Sequence, residues 1–298
     1  MEKTQDKTTE GIERAIVSSA GSMKETDTKL RVAGSANISG GEIPKLLRVS
    51  GSGKIEGNLR CYGLKSSGSL RGMGDISSQG LVKSSGSFAT SGNLQGNENA
   101  KFSGSASIGQ NATILGSIKS SGSLNISGDL DLGSNARFSG SAKIGGETSI
   151  QGFTKSTGSF KIDSNLQAVN GIKSLGSLGV GGNLLSQERI LILGGTNIGG
   201  NIVAESITTD PIRWFNFLWP KRLFSKKRPY KIRGNVFTKR KANLNRTIVD
   251  GEVKGYNVKI GRRSEVRGQI YYVNSVKIRR SAKISGEPIQ IKPDELKL

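Results

Sequence analysis

Apolar residues in this chain come in pairs two apart, and the pairs follow one another at six-residue steps. Leu124 and Ile126, Leu130 and Leu132, Ala136 and Phe138 are one such set, and Ala142 with Ile144 begins the next. Period two places both members of a pair on one face of a short strand. Glycine, serine or asparagine stands between the pairs, where the chain must turn and a positive φ would be useful. The pattern predicts three short strands per copy, that is, a triangular coil.

The copies are marked by a Gly-Ser step at Gly34, Gly51, Gly68, Gly86, Gly104, Gly122, Gly140, Gly158 and Gly176, with intervals of 17, 17 and then six times 18. A period held over about 140 residues means one supersecondary unit repeated end to end. One coil alone cannot bury its inward row. Stacked coils can, because each strand pairs in parallel with its copy above and below at roughly 4.8 Å. The expected fold is an all-β parallel β-helix, a solenoid of ~18 residues per coil. The right-handed form is favoured because parallel crossovers are overwhelmingly right-handed, although six-residue faces also occur in left-handed coils. Nine copies would stand about 40 Å tall. Ser-Ser-Gly-Ser followed by a large residue (Phe88, Leu124) alternates with Phe-Ser-Gly-Ser-Ala (Phe102 to Ala106, Phe138 to Ala142), a 36-residue super-period that large-over-small packing in successive layers would explain.

The pattern divides the chain into five parts. Residues 1–29 are polar and mixed in charge and read as a disordered tail. Residues 30–208 form the Gly-Ser block. At 209–231 the ladder breaks into an insert with both tryptophans, seven Lys or Arg and three of the six prolines. The coil pattern resumes over 232–291 as Ile232 to Val236, Val249 to Val253, Val266 to Ile270 and Ile284 to Pro288, richer in β-branched residues and outward cations. Residues 292–298 form a short tail.

Charge changes the picture because it is uneven. The chain carries a formal net charge of +21, of which 23 basic and seven acidic residues lie from Thr209 onward. On this reading a basic partner surface belongs to the C-terminal third. The insert is expected to act as an interfacial membrane or partner patch. Trp214, Phe215, Phe217, Leu218, Trp219 and Phe224 would enter a headgroup region while Lys221, Arg222, Lys226, Lys227 and Arg228 meet anionic lipid. The competing reading has the aromatics folding back as a cap over the core. No apolar run approaches a bilayer-spanning helix, and no secretory signal is seen at the N-terminus.

Candidate chemistry is sparse. There is no histidine, which removes the usual general base and the imidazole metal ligands. Asp75, Asp129, Asp131, Glu147 and Asp163 are scattered singly, without loops to build a cleft between carboxylates. The chain is therefore expected not to be an enzyme, to bind no cofactor, metal or small-molecule substrate, and to hold Cys61 as a buried structural thiol.

An uncapped solenoid exposes strand edges and an open core, so its ends must be covered or must meet another copy. Neither tail shows an amphipathic cap. The last coils have the most apolar inward row, and Val258, Ile260, Val266, Ile270, Val276, Ile278 and Ile284 are the expected assembly contact.

The phrase from Arg48 through Gly53-Lys54-Ile55 to Asn58, the Lys-Ser-Ser-Gly-Ser steps at Lys65, Lys83 and Lys119, and the closing stretch from Tyr256 to Ile291 resemble the bactofilin, or polymer-forming cytoskeletal, family. The resemblance covers about residues 30–292 and implies a right-handed β-helix that joins end to end into filaments without nucleotide, often on the inner face of the membrane. This chain has more coils than typical members, and an aromatic insert. The expected function is thus a cytoplasmic structural protein that polymerises with itself at the inner membrane face. A non-polymerising scaffold for partner proteins and a basic nucleic-acid binder are the alternatives, the last ranked lowest.

Overall fold

The computed structural model describes residues 13–210 and 229–296. The chain is a β-solenoid of three faces, and in the middle of the stack each rung carries three strands, one on each face. Ala106–Ile108, Ala112–Ile114 and Ile118–Ser120 form one such rung. Each strand pairs in parallel with the residues 18 positions on, so Ala106 lies beside Leu124, Ala112 beside Leu130 and Ile118 beside Ala136. In every three-residue strand of this stretch the first and third side chains are buried and the middle one points outward, as the period-two pattern requires. The first face is a sheet of 15 strands, 14 of them parallel, which makes the stack about 65 Å tall.

Two features explain why the copies keep their length. The first is steric. A Cβ placed on Gly68, Gly86, Gly104, Gly122, Gly140, Gly158 or Gly176 would collide with the carbonyl oxygen of the ladder glycine one rung below. Of the ladder glycines only Gly34 has a positive φ, of 87°. The expectation that a positive φ would be useful at the turns does not account for the ladder: glycine is required because the rungs touch backbone to backbone at this corner. The second is a column of side-chain amides and carboxylates at another corner. Asn58 Oδ1 accepts from the Asp75 N–H at 2.8 Å, Asp75 Oδ1 from Asn93 at 2.7 Å and Asn111 Oδ1 from Asp129 at 2.8 Å. The column resumes from Asn165 through Asn183, Asn201 and Asn235 to the Glu252 N–H. These corners leave backbone donors that no sheet partner reaches, and the column satisfies them one rung at a time.

The core is one continuous stack of buried side chains from Leu30 to Ile270. Its 36-residue super-period is a matter of volume. Phe138 lies in strand Ala136–Phe138 and its ring meets that of Phe160, centroids 4.7 Å apart. Phe160 pairs directly above Ala142, whose methyl leaves the room that the Phe138 ring fills. Phe102 meets Phe88 at 5.5 Å across Ala106 in the same way. Where the third face ends in serine instead, as at Ser120 and Ser156, the hydroxyl donates to the Gly122 or Gly158 carbonyl, and Leu124 or Phe160 takes the space.

The expectation of three separate strands in every copy holds only for the middle of the stack. Near both ends the second and third strands run together, as in Gly41–Val49, Leu59–Ser66, Val236–Leu244 and Val253–Ile260, with register shifts at the bend. All four 17-residue intervals fall on these coils. Removing one residue removes a corner, and a bulge bends the strand in its place.

The blocks on either side of the insert belong to one stack. Ile198 pairs with Ile232 on the first face and Ile202 with Val236 on the second. Strands Ile202–Thr209 and Tyr230–Ile232 already belong to it, so the interruption is shorter than 209–231.

The reading of residues 1–29 as a disordered tail is corrected for residues 13–29. Val17–Ser19 pairs antiparallel with Ser35–Ile38, and Met23–Glu25 antiparallel with Lys29–Val32. Leu30, Val32, Ala36 and Ile38 of the first coil are all buried beneath. The edge donors of that coil draw in any chain that can pair with them. The partner strands are three residues long and mostly polar, which is too short to show a period, and the reversed direction blunts the edge.

Candidate functional site

The two ends of the stack differ. The N-terminal end is closed by the antiparallel strands. At the C-terminal end the last long strand, Ile270–Ile278, begins buried and ends exposed. Of the seven residues expected at an assembly contact, Val258, Ile260, Val266 and Ile270 are at most 2 % exposed, covered by the following rung. These four are core, not surface, and as contact residues they are corrected. Val276 and Ile284 are half-buried against the core, and Ile278 is 37 % exposed. Ile289, in Ile289–Gln290, is 47 % exposed and was not foreseen from the pattern. Among the described residues the first-face strand of the last complete rung is covered by pairing of Val266 with Ile284 and the second-face strand by pairing of Tyr271 with Ile289, and the third-face strand has no partner above it. The inward row of the third face ends at Ile278 with no rung above it among the described residues. Rung counting shows this, since Ile278 is the last residue of its column.

Residues 211–228 lie outside the described part, and with them Trp214, Phe215, Phe217, Leu218, Trp219, Lys221, Arg222, Phe224, Lys226, Lys227 and Arg228. The root from which the insert departs is described, and it is tightly held. Thr209 Oγ1 accepts the Asn245 N–H at 2.8 Å and lies 2.8 Å from Thr247 Oγ1. Asn245 Nδ2 donates to the Thr209 carbonyl at 3.1 Å. Asp210, 5 % exposed and at φ 43°, pairs with Arg246 at 3.1 Å. Tyr230 Oη donates to the Leu193 carbonyl at 3.0 Å, and burial, reinforced by the charge of Asp210, pushes its phenol up to about 12. Buried polar groups in the interior cost stability unless all are paired, so this cluster fixes where the chain leaves and re-enters the stack.

Among the described residues no three Cys, Asp or Glu side chains gather as metal ligands, and no helix is long and apolar enough to cross a membrane. Asp75 and Asp129 serve the corner column rather than a cleft. Cys61 is 2 % exposed, and burial pushes its thiol up to about 11 against the opposing contact with Ser78. This agrees with the expectation of a buried structural thiol.

No family model matches the chain, and no curated protein or solved structure does so either.

Proposed function

We propose that this chain is a structural protein whose solenoid rods associate end to end without nucleotide, through the C-terminal coil. The observation that carries this reading is the apolar inward row of the third face ending in the partly exposed Ile278, with Ile289 exposed on the outer side of the last second-face strand. Fully burying an isoleucine is worth about 1.5–3 kcal/mol, so covering the exposed fraction of Ile278 would add roughly 0.5–1 kcal/mol per copy, before any gain from pairing the edges. With the N-terminal end closed, the contact joins two C-terminal ends and pairs the rods. The resemblance to polymer-forming cytoskeletal proteins points the same way, and with it the proposal of a cytoplasmic protein at the inner membrane face. The aromatic and basic insert of residues 211–228 supplies the membrane contact in this reading.

The test is negative-stain electron microscopy and sedimentation of the purified full chain without nucleotide, beside Ile278→Lys/Ile289→Lys. Both positions are partly exposed, so the variant keeps its fold. Assembly in the parent and single rods in the variant are expected. Single rods in both samples overturn the reading.

A further inference from the structure

One face of the rod carries a cation at the outward position of nine successive rungs. The column starts with Arg31, Arg48 and Lys65 and continues with every eighteenth residue from Lys83 to Lys173. Pairing in register sets the rung spacing at about 4.8 Å, so the column runs straight for about 38 Å. None of the nine makes an ion pair among the described residues. An exposed hydroxyl, from Ser67 to Ser139 and then Thr157, stands two residues after each cation from Lys65 onward to Lys155.

The other faces lack this order. The outward column of the second face over the same rungs includes Arg60, Ser77, Gln95, Thr113 and Asp131. On the first face Lys54 and Arg71 give way to Ala89, Ser107 and Asn125, and the next cations, Lys143 and Lys161, are paired with Asp163. Residues 1–208 contain 21 basic and 16 acidic residues. That near-balance conceals a face of one sign, because the acids stand elsewhere around the coil. Like charges directly opposite on neighbouring strands repel, so the arrangement costs stability unless an anion lies across it.

We propose that this column is a docking track for a single-stranded polynucleotide, held through its phosphates. A straight line of charges selects among polyanions by shape. The phosphates of a duplex wind about its axis and meet a straight line only where a strand crosses it. An anionic bilayer offers a plane, of which one line of lysines uses a narrow strip. A flexible strand can lie along the whole line and bring successive phosphates to successive rungs, with lysine, arginine and serine hydroxyls as the donors that phosphate oxygens take. Tyr62 and Phe153 stand at the margin, but no rung-by-rung row of aromatics accompanies the cations, so binding is independent of sequence and steeply dependent on salt. The track lies in the N-terminal two thirds, away from the C-terminal third expected from net charge, and it does not depend on whether the rods assemble.

The experiment is fluorescence anisotropy with labelled oligothymidylate on the full chain across a salt series. Two variants are compared: Lys83→Ala/Lys101→Ala/Lys119→Ala in the column, and Arg71→Ala/Lys143→Ala/Lys231→Ala on the first face. Nine phosphates neutralised on a single strand give a slope of log K against log salt of about −6, and three fewer make it shallower by about 2. The column variant is expected to lose at least tenfold in affinity at low salt, with the first-face variant within about twofold of the parent. Equal losses in both variants would reduce the effect to net charge and overturn the proposal. So would column-dependent binding of phosphatidylglycerol vesicles, or of duplex DNA, in the absence of oligothymidylate binding.

Discussion

The corner where the third face turns into the first holds a nearly constant volume, and this can be tested by exchanging its two occupants. In the rung that ends at Phe138 the large side chain precedes the corner and Ala142 follows it, whereas at Ser120 and Leu124 the order of sizes is reversed. Phe138→Ser alone removes a fully buried ring that touches Phe160, and the loss should fall near the 3–5 kcal/mol typical of emptying a phenylalanine site. Ala142→Leu alone drives a branched side chain into space the Phe138 ring occupies, at a cost of about 1–3 kcal/mol. The double variant recreates the Ser-then-large arrangement found at the same corner one rung away, and a volume-conserving exchange should cost less than about 1.5 kcal/mol. The singles would sum to roughly 4–8 kcal/mol, so the coupling is at least about 2.5 kcal/mol, near the top of the range for residues sharing one cavity. Guanidinium unfolding followed by circular dichroism, compared at the transition midpoints of all four proteins, reads this directly. A double variant as destabilised as the two singles together would refute the account of the super-period.

Further outcomes follow from other parts of the stack. Gly122→Ala should destabilise by at least about 1–3 kcal/mol in guanidinium unfolding because its Cβ meets the Gly104 carbonyl, while Gly195→Ala, with nothing within 4 Å, should be neutral or slightly stabilising in the same assay. Thr154→Val should be neutral or gain about 1 kcal/mol, since Thr154 Oγ1 is buried without a protein partner among the described residues. Arg246→Ala leaves Asp210 buried and unpaired at the root of the insert, and a loss of about 3–5 kcal/mol is expected by chemical denaturation. The Cys61 thiol, raised to about 11 by burial, should resist iodoacetamide at pH 8 until the chain unfolds. Because its folded value lies above its unfolded one, its contribution to stability is complete below about pH 9 and is lost as pH rises through 11, which unfolding midpoints across that range will show for the parent and not for Cys61→Ala.

The stacked coil was legible because its signal is strong and local. Pairs two apart, repeated at six and 18, can satisfy only a strand whose copies lie above and below it, and the inward residues so assigned, from Leu47 to Ile270, are buried. What escaped was whatever depends on position around or along the stack rather than on period. Lys83 and Lys101 are 18 apart like the glycines, but charge summed along the chain hides a column that appears only when residues are sorted by face. Asp75 and Asp129 look isolated until the coil places them at one corner. The antiparallel cap could not be seen because Val17–Ser19 and Met23–Glu25 bury little and repeat nothing. Val258 and Ile260 have the same pattern as Ile278, and only the count of rungs beyond each separates a core residue from an end.

The continuity of pairing across the insert bears on how such a molecule can change. The chain leaves after Thr209 and returns at Tyr230 with Ile198 and Ile232 still in register, so the stack does not sense how many residues pass between. Lengthening the rod requires whole coils of 17 or 18 residues, whereas altering the sequence carried between residues 210 and 229 requires only that the clamp of Thr209, Asp210, Asn245 and Arg246 be kept. Selection can thus tune span and decoration separately, and an engineer could splice a foreign loop between residues 210 and 229 while leaving the ruler beneath it uncut.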